Sequence, residues 1–458
     1  MGSVVELQVV TTARACYIRP LFWGQSMAID VSTFFEGADD LAARTQSELA
    51  QGLTGSVILE IAGEVKALQA SGRQITGFTI GDFSPAQFRI PDTFVDRIKS
   101  HLDEGHTNYP PAVGVPELRA AVRALYEREL GLAYPEGCVQ VGSGARPPIF
   151  SAFACVLDPG DIVVYPVPSW NNRYYAYING AKGIAVPTQP SNGFMPTAED
   201  LAPYMRTARV ICLNSPLNPS GSVISREILA DLCDAIVDEN HRRAPLGVRP
   251  LILFYDQVYW QLTFGDIRHY TPVELNGEMA KYTVFIDAIS KCWAATGMRV
   301  GWAVVPPWLR DKMKPLVGHM GAWAARPEQL ATAELLSDPE LTVPYMTGFK
   351  ADIQARLDRL HAGLSAMRVD GLPVDALSPQ GAIYLTAKID LPGRGEEETR
   401  KLLLHDAGIA VVPFSAFGYP EGSGWMRFSV GAVGLDDIDG ALLRLRQLVE
   451  REVAAVTR

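Results

Sequence analysis

Several residues along the 458-residue chain combine chemical capacity with a shared local setting. Asp256 closes the apolar run LILFYD, and Tyr259 follows three positions later. Lys291 follows YTVFIDAIS, and Arg299 lies eight positions beyond it. Asn218 sits in SPLNPSG after RVICLNS, Trp170 in PSWNN after DIVVYPV, and Gly144, Ala145 and Arg146 in the Gly-rich turn GSGARPP. A lysine forms an imine with an aldehyde. A carboxylate beside a ring nitrogen raises that nitrogen's pKa and keeps it protonated. Tyrosine and asparagine are neutral donors for a phenolic oxygen. A glycine-rich turn with free N–H groups, joined by an arginine, suits a phosphate. An aromatic side chain stacks on a ring face. One ligand carrying a pyridine ring, an aldehyde, a phenolic oxygen and a phosphate uses all of these. Each residue also has a plainer reading: Trp170 as a core aromatic, Asp256 as a surface turn residue, Lys291 as a solvated lysine. The plain readings fail jointly, because several independent run ends would have to match one ligand by accident. GSGARP alone resembles a piece of a dinucleotide fingerprint but lacks the third glycine at the required spacing.

The elements that must position these residues follow from the pattern. From about 138 to 305, short β-rich runs alternate with helical segments such as SREILADLCDAIVDEN. That alternation predicts an α/β fold, a mostly parallel sheet flanked by helices. Ligands then gather outside the carboxyl ends of the strands. Residues 55–70 show helical spacing, with Ile58, Ile61, Val65 and Leu68 on one face, and 115–130 read as a helix opened by Pro116. The segment ITGFTIGDFSP reads as a strand entering a turn. A long helical region, 308–336, is expected to carry the chain between domains, with a further helix near 344–366. An α+β tail ends in a helix over 435–453. The expected division is 1–53 as an N-terminal extension or arm, 54–105 as the N-terminal part of a small domain, 106–325 as the large domain, and 326–458 as the C-terminal small domain.

The bulk numbers narrow the function. Hydrophobic residues make up 48% and charged residues 20%, ordinary for a globular protein of more than one domain. A net charge of −10 argues against nucleic acid or an anionic membrane as main partner. No apolar stretch reaches a membrane span's length. Six cysteines without a CxxC pair read as reduced, mostly buried thiols of a cytoplasmic protein. His241 and His269 lack ligand-spaced partners and read as solvated or core histidines, so no metal is expected. Residues 1–26 lack a basic start followed by an apolar block, which argues against a signal peptide, and Met27 offers an alternative start.

The motifs GARPP, PSWNN, SPLNPSG, YDQVYW, ISKCWAATGMRVGW and MRFSV together resemble the class I/II aminotransferases, fold type I pyridoxal-phosphate enzymes, and most closely their aspartate-aminotransferase-like branch. The resemblance runs from about residue 54 to the end. It implies pyridoxal 5′-phosphate bound through an imine to Lys291, Asp256 against the pyridinium nitrogen, Tyr259 and Asn218 on the phenolic oxygen, and Trp170 on the ring. It implies Gly144, Ala145, Arg146, Ser290 and Arg299 around the phosphate, and Tyr109 reaching the phosphate of a partner subunit in a homodimer. Arg427 is the implied clamp for a substrate α-carboxylate, with the Gly81 backbone near the same group and Asn218 and Trp170 bordering it. Two departures stand out: Ala288 replaces a serine of the usual motif, and Pro147–Pro148 occupies the start of an expected helix.

The activity implied is transfer of an amino group between an L-amino acid and a 2-oxo acid. The same cofactor also supports making or breaking a side-chain bond, and the fold also occurs in ligand-sensing regulators. The residues before 54 are too few and too little basic for the DNA-binding module such a regulator needs. The segment 317–329 is expected to line the substrate pocket or a subunit interface, with Arg326 as a candidate second cation for a dicarboxylic substrate.

Overall fold

The computed structural model describes residues 31–35 and 39–456, so the expectations for residues 1–26 and Met27 lie outside it. Contacts divide the chain into two units, 1–54 and 55–458. The first holds a short 3-10 turn at Ser32–Phe34 and the helices Asp39–Thr45 and Glu48–Gln51, and the residues 40–51 are exposed.

The second unit is built on a seven-stranded sheet: β1 (Val139–Ser143), β2 (Ile162–Val167), β3 (Lys182–Pro187), β4 (Ala208–Asn214), β5 (Ile252–Asp256), β6 (Thr283–Ala288) and β7 (Val300–Val304). Their order is β1-β7-β6-β5-β4-β2-β3, and only β7 runs against the rest. The helices named below are α1 (Val57–Ala70), α2 (Asp92–Asp103), α3 (Pro116–Leu130), α4 (Arg146–Val156), α5 (Arg226–Arg243), α6 (Pro307–Met320), α7 (Arg326–Leu336), α8 (Pro339–Val369) and α9 (Leu435–Val456).

Successive residues of a strand face opposite sides, and both sides are covered here. Ile252 and Phe254 of β5 join a core with Ile149 and Phe153 of α4 and Met313 of α6. Leu253 and Tyr255 join another with Leu118 of α3 and Leu232 of α5. This double burial explains why the strands read as unbroken apolar runs.

A four-stranded antiparallel sheet follows: β8 (Val374–Ala376), β9 (Tyr384–Ile389), β10 (Val412–Pro413) and β11 (Trp425–Ser429), in the order β10-β11-β9-β8. The expected strand in ITGFTIGDFSP shrinks to Thr76–Gly77, paired in parallel with Ile409–Ala410. The expected helix over 308–336 is two helices, α6 and α7, because the chain turns at Gly321 with φ +64. The helix near 344–366 is longer than expected and spans all of α8. Pro147 and Pro148 both fall in the first turn of α4, where the backbone N–H groups have no helical acceptor, so neither proline removes a bond. His269 is buried, while His241 is exposed beside Glu278 at 3.3 Å. The five described cysteines are free thiols, four of them buried. Among the described residues no helix is long and apolar enough to cross a membrane.

Candidate active site

The carboxyl edge of the large sheet opens into a cavity of about 500 Å³. Asp256 is the last residue of β5 and lies in register with Asn214, the last of β4. Lys291 sits in the short helical turn Ile289–Cys292 directly after β6. Trp170 lies just beyond β2. Because β7 runs the other way, Arg299 precedes its first residue at the same edge, and its Nη2 donates to the Ser143 carbonyl at the end of β1, at 3.3 Å. Arg427 enters from β11 and Tyr384 from β9, so the smaller sheet closes the cavity.

Gly144 has φ +82, and a Cβ there would stand 2.2 Å from Arg299 Nη2. Only glycine suits both the backbone and the space. At Gly81 the constraint is steric: a Cβ would lie 2.6 Å from the Tyr384 hydroxyl. The Gly81 carbonyl accepts a hydrogen bond from Lys291 Nζ. Arg427 is 1% exposed. Its Nη1 donates to Asn218 Oδ1 at 2.9 Å and its Nη2 to the Thr79 carbonyl. The guanidinium lies 4.7 Å from the Tyr384 ring centroid and 4.9 Å from that of Phe417, and its Nε has no partner. The Tyr259 and Tyr384 hydroxyls are 2.6 Å apart. Arg146 lies over the Trp170 ring at 5.9 Å.

Burial sets the electrostatics. It lowers the Lys291 amine to about 8; Asp82 opposes that fall, while Arg427, Arg146 and Arg299 add to it. Burial raises the Asp256 carboxyl to about 6, against the Val258 N–H and Lys291, which favour the anion. Asp287, behind the cavity, rises to about 8 through burial although Trp260 Nε1 donates to it at 2.8 Å. Among the described residues, none of Arg146, Arg299 and Arg427 is ion-paired with a carboxylate. The cavity thus gathers four cationic side chains against Asp82 and Asp256. Arg427 is buried, while Arg146 and Arg299 are exposed at the cavity's mouth; a buried cation without an anionic partner is costly unless a ligand supplies the charge.

The sequence pattern described as aminotransferase class I and II matches residues 73–445. The chain belongs to this family. Aspartate aminotransferase of Geobacillus stearothermophilus is 30% identical to it over 407 residues, 87% of this chain and 97% of that protein. Aromatic-amino-acid aminotransferase 2 of Thermococcus litoralis is 27% identical over 392 residues, 85% and 96% respectively. The solved aspartate aminotransferase of Rhizobium meliloti matches with a TM-score of 0.80 at 27% identity, covering 89% of this chain and 99% of that one. The aminotransferase has the type I fold of its relatives and depends on pyridoxal phosphate.

Its residues fit that cofactor on geometric grounds. The Gly144 cradle and two arginines without carboxylate partners suit a phosphate. The orphaned Arg427 Nε suits a second anion, and Asp256 is a buried carboxylate awaiting a cation. Gly81, Ala145, Arg146, Trp170, Asn218, Asp256, Tyr259, Ser290, Lys291, Arg299 and Arg427 all line the cavity, as does Ala288. Gly144 abuts it through Arg299. Tyr109 does not: it is 81% exposed, packed at 5.3 Å against Trp323 in a separate groove. Arg326 lies in that same groove, bonded to Asn108. The turn at Gly321 leaves Trp323 and Arg326 of the 317–329 segment beside Tyr109, and no residue of that segment lines the cavity. Sequence reading passed over Asp82, Asn214, Thr296 and Tyr384. Asp82 directly follows Gly81 and accepts from the Thr296 hydroxyl at 2.6 Å. Its place after a strand-like run was the available signal.

Proposed function

We propose that this aminotransferase moves an amino group from an L-amino acid to a 2-oxo acid, with Lys291 holding the cofactor and carrying the proton. The reading is supported chiefly by one arrangement: a buried amine, lowered to about 8, beside three arginines that lack carboxylate partners. Pyridoxal phosphate, when bound, supplies an electron sink for the pair left as the substrate Cα–H bond breaks. Arg146, Arg299 and the Ala145 amide at the helix N-cap, with Ser290 and the side-chain-free Gly144, would hold its phosphate. Asp256 would face its ring nitrogen, and a cation there would favour the carboxylate against the burial that raises it to about 6. Tyr259 and Asn218 would donate to its phenolic oxygen, and Trp170 would cover its ring.

Arg427 holds the substrate carboxylate. Its planar fork is already fixed by Asn218, the Thr79 carbonyl and the Tyr384 face, so little side-chain entropy is lost on binding. Lys291 Nζ would take the Cα proton and return it across the substrate nitrogen, to the cofactor carbon two atoms away. An amine near 8 is mostly protonated at pH 7, with roughly one-tenth neutral against far less for an ordinary lysine, and that fraction can act as the general base. Tyr109 points outward and is assigned to the phosphate site of a second copy. Light scattering that finds a fully active monomer would remove that role. The free buried thiols fit a reducing, cytoplasmic setting, which cell fractionation checks.

The decisive experiment titrates the purified holoenzyme with single amino acids and no acceptor. The expected result is loss of the cofactor's visible band with one equivalent of 2-oxo acid per chain. A band that persists with no oxo acid formed, across the whole panel, would overturn the proposal.

A further inference from the structure

Away from the cavity, the end of α2 gathers three ligand-type side chains. His101 lies in its last turn, Glu104 caps it, and Gly105 follows with φ +78. That left-handed residue lets the His106 N–H bond back to the His101 carbonyl at 3.0 Å, a Schellman-type close that folds His106 over the helix end. The two imidazoles stack with centroids 5.2 Å apart. Their Nδ1 atoms are 3.3 Å apart, and Glu104 Oε2 lies 3.4 Å from His101 Nδ1 and 3.9 Å from His106 Nδ1. Ligand atoms on a tetrahedral ion with bonds of about 2.0–2.2 Å stand roughly 3.3–3.5 Å apart. The three atoms therefore already sit near the edges of such a tetrahedron.

The surroundings are those of a built site. His101 Nε2 pairs with Glu334 Oε1 of α7 at 3.0 Å, the outer carboxylate–histidine contact that fixes a metal-binding tautomer and strengthens the ligand. Arg97 in turn holds Glu334 at 3.4 Å and Asp338 at 2.6 Å. The other oxygen of Glu104 accepts from the Ser100 hydroxyl at 3.0 Å, which turns Oε2 towards the imidazoles. The carboxyl end of a helix adds partial negative charge. His101 is buried, while His106 and Glu104 are open enough for an ion to enter.

We propose that His101, Glu104 and His106 form a site for a divalent transition-metal ion of the Zn²⁺ type, with a fourth position open to water. Two imidazoles and a carboxylate match that ion class rather than Mg²⁺ or Ca²⁺, which take oxygen ligands. The ion ties the end of α2 to the turn leading into Tyr109, and none of its three ligands lines the catalytic cavity of its own chain.

The test equilibrates chelator-stripped holoenzyme with Zn²⁺ against a chromophoric chelator at pH 7.5. The wild type is expected to take up one tight equivalent per chain, at micromolar affinity or better. His106→Ala and Glu104→Gln, each checked for unchanged cofactor content and circular dichroism, should lose at least tenfold in affinity. Glu334→Gln should lose about ten- to a hundredfold through the outer contact. No uptake at 100-fold excess over a micromolar affinity, or a loss smaller than tenfold in both ligand variants, overturns the site.

Discussion

Replacing Lys291 with Met should stabilise the cofactor-free chain at neutral pH. Burial holds the amine at about 8 instead of 10.5, which corresponds to a penalty of about 3 kcal/mol on the protonated form. Met has a similar length and no charge to desolvate. Its loss is the hydrogen bond from Nζ to the Gly81 carbonyl, worth about 1 kcal/mol. A net gain of about 2 kcal/mol is expected at pH 7. The pH dependence is the sharper part. Below pH 8 the amine is protonated in both folded and unfolded chains, and the full penalty is present. Between about 8 and 10.5 the unfolded chain binds more protons at this side chain, so wild-type stability rises with pH. The advantage of Lys291→Met should shrink across that window and vanish or reverse by pH 10.5. Urea midpoints of the two cofactor-free proteins at pH 7 and 10.5 read this directly, and other alkaline titrations cancel in the difference. A variant no more stable than wild type at pH 7, or an advantage independent of pH, would refute the reasoning.

Two further outcomes follow from the cavity. Arg427→Lys loses the fork that meets Asn218 and the Thr79 carbonyl and should lower kcat/KM for amino-acid donors by roughly 10²–10³-fold, from one or two charge-assisted bonds. Amines lacking a carboxylate should lose much less, and an equal loss on both would sink the clamp. Gly144→Ala forces a Cβ to 2.2 Å from Arg299 at φ +82. Cofactor retention on dialysis should weaken by tenfold or more (about 1–3 kcal/mol of strain and displacement), while retention equal to wild type would remove the cradle argument.

What could be read from sequence was what strand direction dictates. Asp256, Lys291, Asn218 and Trp170 follow apolar runs, and a parallel sheet sends all such ends to one edge. Arg299 came with them only because β7 is antiparallel, a fact that the runs themselves do not disclose. Tyr384 stayed hidden for the opposite reason. It is fully buried in β9 and looks like any aromatic of a core strand, and its hydroxyl matters only once Tyr259 is 2.6 Å away. Asp287 alternates with apolar neighbours as a strand residue should, and nothing local announces that Trp260 covers it. Of the two places expected for the 317–329 segment, the chain's own cavity does not include it, because helical periodicity continues through it whereas a single φ of +64 at Gly321 redirects the chain. His101 and His106 lie five positions apart, a spacing zinc ligands use, but no cysteine pair accompanies them in sequence, and the left-handed Gly105 brings their nitrogens to 3.3 Å.

The same contrast governs charge. The chain carries −10 overall, yet its cavity holds Lys291, Arg146, Arg299 and Arg427 against two carboxylates. Arginines elsewhere are commonly paired: Arg243 with Glu239 at 2.7 Å, Arg400 with Glu64 at 3.1 Å. Global acidity therefore cannot be what leaves the cavity arginines unpaired, since carboxylates are abundant. Folding has placed the cavity's two carboxylates, Asp82 and Asp256, out of ion-pair reach of these arginines. An arginine held against two aromatic faces with an orphaned Nε is unfavourable by itself. The arrangement makes physical sense when a dianionic phosphate and a carboxylate complete it, and a cation on the ring nitrogen offsets the burial that raises the Asp256 carboxyl to about 6. On this account the cofactor-free chain carries the strain of its own site, and ligand binding adds to stability through the same groups that perform the chemistry.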